Sequence, residues 1–275
     1  MRVAIITRFP EIAAAFDDVL RGLGHDSPGV VTTPGPPGRY GGDGIGGVVE
    51  GMPRHLDVLV ASGSHRFAAL LGALEPDLAV CGGFPLRIPN DALAVPRLGI
   101  VNTHPALLPR FRGPNPIGWA LRNGEPELGY SVHRMDDDFD TGPLLAQGST
   151  RIDDVERPEE LFERMLGLVA RLLPEALRRV EAGEPGDSQD GEASYAGFFE
   201  HGFAEIDWSR PALEIHRQVR AWWATAVRDG PRGPLTDLAG ERVRVLRTRL
   251  DGAEGGLRVA CGDGPLWVLE TAPAA

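Results

Sequence analysis

The chain has 275 residues, of which 42% are apolar and 24% are charged, and its formal net charge is -11. This length can bury the core of one large domain with a smaller one attached. No apolar run approaches the roughly 20 residues of a membrane span, so we expect a soluble protein. The negative charge disfavours a general nucleic-acid binder, because affinity for phosphates comes mainly from basic side chains. Every basic residue is an arginine, which excludes Schiff-base lysines and the lysine of P-loops.

The cysteines and the first residues bear on the cellular compartment. Cys81 and Cys261 lie far apart and form no C-x-x-C pair, so we expect reduced thiols in the core. Residues 1–7 run straight into an apolar, strand-like segment and lack the basic region and apolar core of an export signal. We therefore expect a cytoplasmic location.

Strand-like and helical patterns alternate through the first hundred residues. The β-branched run 2–7 is followed by apolar residues at helical spacing from Ile12 to Leu23, until Gly24 ends the pattern. Further short apolar runs lie at residues 29–32, 57–61, 77–81 and 99–102. This alternation predicts an α/β fold with a doubly wound, mainly parallel, Rossmann-like sheet. Ligands of such sheets bind beyond the carboxyl ends of the strands, here residues 7–10, 82–89 and 102–113.

Two more strands are predicted at residues 129–135 and 143–147, around the Asp-rich segment 136–142, and we expect them to extend the same sheet. A long helix is predicted from Pro158, and Pro174 is expected to kink it or divide it in two. The helical pattern ends by Gly183. We therefore place a first domain at residues 1–183.

The polar, glycine-containing segment 184–201 is predicted to be an interdomain linker. The remaining residues, 202–275, open with a helix that Ser209 can cap, and Trp222 and Trp223 lie on the apolar face of this helix. Short apolar runs between glycine-containing turns follow. They predict a small, mostly-β, barrel-like domain.

The segment most informative about chemistry is residues 101–113 (VNTHPALLPRFRG). Side chains two apart on an extended backbone project to the same side, so Asn102 and His104 face one way at the end of a predicted strand. Pro105 and Pro109 restrict the backbone after that strand, and Gly113 allows a tight turn before the next helix. We therefore expect a rigid polar site here.

Two motifs in this part of the chain resemble the folate-dependent formyltransferase family. The family pattern Asn-x-His-Pro-Ser-Leu-Leu-Pro, which continues to an aromatic residue, a basic residue and glycine, is present from Asn102 to Gly113 with its Ser replaced by Ala106. The pattern His-x-Met-Asp-x-x-x-Asp-Thr-Gly follows from His133 to Gly142. Residues 205–209 (EIDWS) and the helix behind them are similar to the start of the C-terminal domain of methionyl-tRNA formyltransferases, which makes that subgroup the nearest one.

This resemblance implies transfer of a formyl group from 10-formyltetrahydrofolate to an amine, with Asn102, His104 and Asp140 as the catalytic residues. A proton must leave the attacking amine, and His104 suits this step because imidazole changes charge near neutral pH. Asp140 would favour the imidazolium form or fix the tautomer of the ring. Asn102 would donate an amide N–H to the formyl oxygen, as in an oxyanion hole.

The resemblance also implies binding residues. For the folate we expect contacts from the loop Phe84, Pro85, Leu86, Arg87 and Ile88 and from Asp136, Asp137 and Asp138. For the acceptor we expect contacts from Arg8, Phe9, Pro10, Arg112 and Gly113. No metal is expected, since the chain has neither H-x-x-x-H nor C-x-x-C.

Charge and loop length bear on the acceptor. Methionyl-tRNA formyltransferases reach the tRNA acceptor end with a longer basic loop after the second strand, whereas residues 33–42 hold one arginine. The family's Gly-Thr-Pro after the first strand is replaced by residues 8–10 (RFP), and its Asn-Pro-Trp-Pro-like stretch by residues 221–224 (AWWA). The C-terminal domain, which we expect to be abbreviated, holds ten Arg against ten Asp and Glu. We therefore predict a small amine acceptor, such as an amino acid, amino sugar or biosynthetic intermediate, and disfavour tRNA.

Several alternatives stay open. The chain could be a methionyl-tRNA formyltransferase, a 10-formyltetrahydrofolate hydrolase that passes the formyl group to water, or a catalytically silent folate-binding protein. A metal-dependent hydrolase would use His104, His133 and Asp140 as ligands. Outside that case we assign His133 a structural role, residues 136–138 a solvated turn, and Trp222 and Trp223 a packing role. No pattern predicts the oligomeric state.

Overall fold

The computed structural model of the protein describes residues 1–35, 44–154, 156–225, 233–252 and 254–274. Most of the arginine-poor segment 33–42, on which the acceptor prediction partly depends, lies outside these residues. Within the described ranges, no helix is long and apolar enough to cross a membrane. Cys81 is buried, as expected of a thiol in the core, whereas Cys261 is only half-buried.

Seven strands form the first sheet, in the order β3-β2-β1-β4-β5-β6-β7. They are β1 Val3–Ile6, β2 Gly29–Thr32, β3 Asp57–Val60, β4 Leu78–Gly82, β5 Ile100–His104, β6 Glu127–Arg134 and β7 Leu144–Arg151. β1 to β5 pair in parallel, whereas β6 and β7 are antiparallel additions. The predicted doubly wound, mainly parallel sheet is confirmed, and so are the two strands around the Asp-rich segment.

Helices pack on both faces of the first sheet. They are α1 Pro10–Gly22, α2 Gly44–Gly51, α3 Phe67–Ala73, α4 Asn90–Leu93, α5 Pro116–Asn123 and α6 Pro158–Glu181, and a further helix, α7 Ala212–Ala224, belongs to the C-terminal domain. Along β1, Val3 and Ile5 belong to the core that includes α1 and α6, whereas Ala4 and Ile6 belong to the core that includes α3 and α4. Successive side chains of a strand point to opposite faces of the sheet, so β1, whose side chains are all apolar, contacts helices on both faces.

The long helix α6 is not divided at Pro174, although a break was one expected outcome. Proline removes one hydrogen bond from the helix interior and crowds the preceding turn. Here the residues on both sides of it, Leu172, Leu173, Ala176 and Leu177, are all buried. Burial of this apolar stripe against the sheet holds the two halves in one helix.

The second sheet is antiparallel and has the order β10-β11-β9-β8. Its strands are β8 Leu235–Leu238, β9 Glu241–Arg249, β10 Leu257–Ala260 and β11 Pro265–Pro273. Ile215 and Val219 of α7 pack with buried residues of this sheet such as Leu266 and Val268. The predicted small, mostly-β C-terminal domain is confirmed, as a half-barrel that wraps one helix.

The start of α7 differs from the prediction that Ser209 caps it. Ser209 Oγ donates to Asp207 Oδ1 at 2.6 Å, two residues before it. The first amide of the helix, Ala212 N–H, donates instead to Asp263 Oδ1 at 2.7 Å, from the turn before β11. A side chain from a distant turn therefore satisfies a helix amide that a local cap was expected to satisfy.

The segment predicted as a linker does not cross solvent freely. Leu144 and Asp187 exchange two backbone hydrogen bonds, of 2.7 and 2.8 Å. Arg112 N–H donates to the Ser194 carbonyl at 2.9 Å and the Ala196 N–H donates to the Arg112 carbonyl at 2.6 Å. Residues 187–196, named the strap from here on, therefore bind at one end to the start of β7 and at the other to the turn that follows β5.

Candidate active site

Asn102 and His104 project from the last three residues of β5, on the same side of the strand. Asp140, from the connection between β6 and β7, reaches both of them: its Oδ1 lies 3.3 Å from Asn102 Nδ2 and 3.5 Å from His104 Nδ1. The His104 and Asp140 side chains are 5% and 11% exposed. The structure thus brings the three predicted catalytic residues together in a nearly enclosed polar cluster.

The turn after β5 supplies backbone groups to this cluster. The Nε2–H of His104 donates to the Phe111 carbonyl oxygen at 2.8 Å, and the Gly113 N–H donates to Asp140 Oδ2 at 2.8 Å. Phe111 and Asp140 both have a φ of 57°, in the left-handed region that is costly for residues other than glycine. Each of them directs an oxygen at His104, so the backbone strain coincides with the polar cluster.

His133, for which we expected a structural role, belongs to the same cluster. It lies opposite Asn102 in the antiparallel pair of β5 and β6. Its Nδ1–H donates to the Arg134 carbonyl at 2.8 Å, so its Nε2 accepts a bond of 3.1 Å from Asn102 Nδ2. Both amide hydrogens of Asn102 are therefore directed, one at His133 and the other at Asp140. The reversed amide would put its oxygen against a carboxylate, which fixes this orientation.

Burial and charge act in opposite directions on the two central groups. Burial lowers the pKa of His104 below its ordinary value, against the raising effects of Asp140 and the Phe111 carbonyl. Burial acts to raise the pKa of Asp140, but the positive charge of protonated His104 and the Gly113 N–H favour the ionised carboxylate, and its pKa is about 2. At neutral pH the resting cluster is therefore a neutral imidazole facing an ionised carboxylate.

The two loops predicted to bind folate touch each other. Arg87 Nη2 donates to the Asp137 carbonyl at 2.5 Å. Asp136 Oδ1 accepts from Thr141 Oγ1 at 2.7 Å and from the Asp138 N–H at 3.3 Å, which orders the exposed Asp-rich turn. The other members of the first loop differ in burial: Ile88 is buried, while Phe84, Pro85 and Leu86 are half-buried.

The residues predicted to contact the acceptor fall into two groups. Arg8 is buried, and Phe9 and Pro10 are half-buried at the start of α1. Gly113 contributes the backbone bond to Asp140 described above. Arg112 donates from Nε and Nη2 to Gln189 Oε1 of the strap, at 3.1 and 2.6 Å, so its guanidinium is held on the edge of the polar cluster.

The geometry also bears on the metal-ligand hypothesis. Nε2 of His133, the ring nitrogen nearest Asp140, already accepts a hydrogen bond from Asn102. Among the described residues, no group of three or more His, Cys, Asp and Glu side chains is placed to hold a metal ion. The site is a hydrogen-bonded set of an amide, two imidazoles and a carboxylate, which suits proton transfer and stabilisation of an oxyanion.

Two family descriptions match the chain: "Formyl transferase" over residues 60–177 and "Formyl transferase, C-terminal domain" over residues 200–275. A methionyl-tRNA formyltransferase of Pelobacter propionicus is 36% identical, over 95% of this chain and 85% of that relative. HypX from Aquifex aeolicus, solved in complex with tetrahydrofolic acid, has a TM-score of 0.74 at 16% identity and covers 100% of this chain, which spans 44% of HypX. WlaRD, a sugar 3N-formyl transferase solved with 5-N-formyl-THF, has a TM-score of 0.64 at 15% identity over 98% of this chain and 97% of its own.

The α/β domain followed by a half-barrel is similar in fold to these two solved structures. The chain belongs to the formyltransferase family.

Proposed function

We propose that this protein transfers the formyl group of 10-formyltetrahydrofolate to the amino group of methionyl-tRNA, with Asn102, His104 and Asp140 as its catalytic residues. The choice of methionyl-tRNA as the acceptor is supported by the 36% identity to a methionyl-tRNA formyltransferase along 95% of the chain, through both domains. The fold has no weight in this choice, since a sugar formyltransferase has it too. The sequence relationship therefore outweighs the charge pattern that favoured a small acceptor.

The proposed reaction begins with proton removal by His104. Its Nε2–H is held by the Phe111 carbonyl, so Nδ1 is the basic atom. Nδ1 accepts a proton as the amine attacks the formyl carbon. The resulting imidazolium donates to Asp140 Oδ1, from which Nδ1 is 3.5 Å away in the resting structure. The depressed pKa of His104 keeps it neutral and ready to act as a base at neutral pH.

Asn102 then stabilises the oxyanion. The longer of its two bonds, 3.3 Å to Asp140 Oδ1, competes with the new bond that Asp140 makes to protonated His104. We propose that the formyl oxygen takes over this N–H, while His133 keeps the other one and fixes the amide. Proton uptake by His104 and donation to the oxyanion by Asn102 are thus coupled through one carboxylate oxygen. When the intermediate collapses, the bond between the formyl carbon and the folate nitrogen breaks, and that nitrogen takes the proton from the His104 imidazolium as tetrahydrofolate leaves.

A second candidate acceptor is a small primary amine. Two of the four arginines on β9 that a tRNA could contact are neutralised by ion pairs, Arg242 with Glu205 and Asp237 and Arg249 with Asp251. The C-terminal domain as a whole has equal numbers of Arg and of Asp plus Glu. Such a surface lacks the positive field that strengthens tRNA binding.

The deciding experiment incubates the protein with 10-formyltetrahydrofolate and two acceptor panels, methionylated initiator tRNA and a set of amino sugars and amino acids. We expect the mass of one formyl group on methionyl-tRNA, together with release of tetrahydrofolate. Formylation of a small amine alone would select the second candidate. Release of tetrahydrofolate without any acceptor would indicate a hydrolase, and binding without turnover a silent folate-binding protein.

A further inference from the structure

Gln189, in the strap, makes four hydrogen bonds at the edge of the polar cluster. Its Nε2 donates to the Asp140 carbonyl at 2.9 Å and to the Gly142 carbonyl at 2.8 Å. Its Oε1 accepts both bonds from the Arg112 guanidinium. Carbonyl oxygens need a donor and a guanidinium needs an acceptor, so this network permits only one orientation of the amide.

Asp140 is the residue that requires such support. Its left-handed backbone is unfavourable for a residue with a side chain, and it persists only where neighbours hold it. Gly113 holds the carboxylate from the turn after β5, and Gln189 holds the carbonyl of the same residue from the strap. The carboxylate is therefore oriented from one segment and its backbone from another.

The strap is itself bound tightly enough to transmit this restraint. Ser194 Oγ accepts the Phe111 N–H at 2.8 Å, and Phe111 provides the carbonyl that orients His104. The ring of Tyr195 packs against Gly113, where an added Cβ would lie 2.6 Å from it. One segment thus contacts the supports of His104 and of Asp140.

We infer that Gln189 is a positioning residue for formyl transfer, which holds Asp140 in its left-handed conformation so that the carboxylate faces His104 and Asn102. This inference rests on the proposed catalytic role of Asp140. Gln189 acts through Asp140 and Arg112, and it is not itself a catalytic residue.

Two substitutions separate its donor and acceptor roles. Gln189→Met keeps the length of the side chain and removes both, whereas Gln189→Glu keeps oxygens for Arg112 and removes the donor to the carbonyls. Ser188→Ala is the matched control, because Ser188 is exposed and its Oγ donates to the exposed carboxylate of Asp190. Each variant is assayed with 10-formyltetrahydrofolate and methionyl-tRNA, or with the small amine that proves active in its place.

We expect both Gln189 variants to lose about 10- to 100-fold in kcat, since a displacement of about 1 Å in a reacting group can cost 10²-fold. The KM for 10-formyltetrahydrofolate should change by less than about threefold, and Ser188→Ala should match the parent protein. Near-parental kcat in Gln189→Glu would overturn the donor role, and near-parental kcat in both variants would overturn the inference.

The pH profile distinguishes positioning from a general loss of stability. The charged and titratable groups that face His104 are Asp140, which raises its pKa, and His133, which lowers it. A displaced Asp140 raises the pKa of His104 less. The acid limb of the pH profile of kcat should therefore move to lower pH in Gln189→Met. A merely structural role would lower the melting temperature and leave the limb in place. Asp140→Asn is measured in parallel. If this variant keeps full activity, the proposed function fails. If it loses activity while the Gln189 variants stay active, only the positioning role of Gln189 is overturned.

Discussion

His104 and His216 occupy two regions with similar burial and different chemistry. Both residues are 4% exposed, and burial lowers the pKa of each. At the junction between the two domains, His216 Nε2–H donates to the Asp154 carbonyl at 2.7 Å, and its Nδ1 accepts from Thr248 Oγ1 at 2.8 Å. At the end of β5, His104 makes one bond of 2.8 Å, and its second nitrogen lies 3.5 Å from a carboxylate.

The difference shows that burial of a histidine does not mark a functional site. A neutral imidazole has one donor and one acceptor, and the surroundings of His216 satisfy both. His104 presents its basic nitrogen to an ionised carboxylate, so it gains a strong bond only after it takes up a proton. The incomplete hydrogen bonding in the resting state, and not the depressed pKa, is what supports the proposal that His104 is the base.

The largest effect is expected from replacing each histidine. His104→Ala should lower kcat for formyl transfer by about 10² to 10⁴-fold, the usual contribution of a general acid or base. His216→Ala should leave kcat within about twofold and lower the free energy of unfolding by about 1 to 3 kcal/mol, because it leaves buried polar groups without partners. Steady-state rates and urea unfolding of both variants test this contrast. Turnover that survives in His104→Ala would contradict the proposed mechanism.

Replacing Asn102 tests the coupling within the same cluster. Asn102→Ala should lower kcat by about 10²- to 10³-fold, the loss seen when one oxyanion donor is removed. The KM for 10-formyltetrahydrofolate should change little if the N–H acts mainly in the transition state. A raised KM with an unchanged kcat would mean that Asn102 serves substrate binding alone.

A smaller effect is expected from two glycines with left-handed backbone. Gly113 has a φ of 106° and donates to Asp140, whereas Gly183 has a φ of 74° and open space around it. Substitution by alanine should cost each variant about 1 to 3 kcal/mol of stability through backbone strain. Gly113→Ala should also lose at least about tenfold in kcat, because its added Cβ collides with the Tyr195 ring and displaces the backbone N–H that orients the carboxylate. Equal activity of the two variants would argue against this role of Gly113.

The smallest effect concerns the pH dependence of stability. The pKa values of His104 and His216 are lowered in the folded protein. Just below the ordinary histidine pKa of about 6.5, the unfolded chain therefore binds more protons than the folded protein does. Stability should therefore fall as the pH decreases through this window, by at most about 1.4 kcal/mol per pH unit for each histidine. Urea unfolding between pH 5 and 7 measures the slope, which should be shallower in His216→Ala. An unchanged slope would show that His216 does not contribute to it.

Much of the large sheet could be predicted because its strands are short, apolar and separated by helical patterns. The pairing of Asn102 with His104 followed from the two-residue period of a strand. His133 was assigned a structural role because a lone histidine carries no local signal of its neighbours. Its position opposite Asn102 depends on the register of β5 and β6, although its place at the head of the second motif was a signal that could have been used.

Other features depended on segments far apart in the chain. Asp263 caps α7 from 51 residues away, and Gln189 reaches Asp140 from 49 residues away. Local composition predicted only a polar linker around Gln189, because it describes the average solubility of a segment and not the surface to which that segment returns.

The residue types of the proposed catalytic set, their spacing on β5 and the order of strands and helices were thus determined by local sequence, since the period of a strand is the same in any protein. The distance between His104 and Asp140, the contact of His133 with Asn102 and the attachment of the strap were decided by the tertiary structure. These features depend on strand register and on the burial of many residues at once, and no short stretch of sequence contains that information.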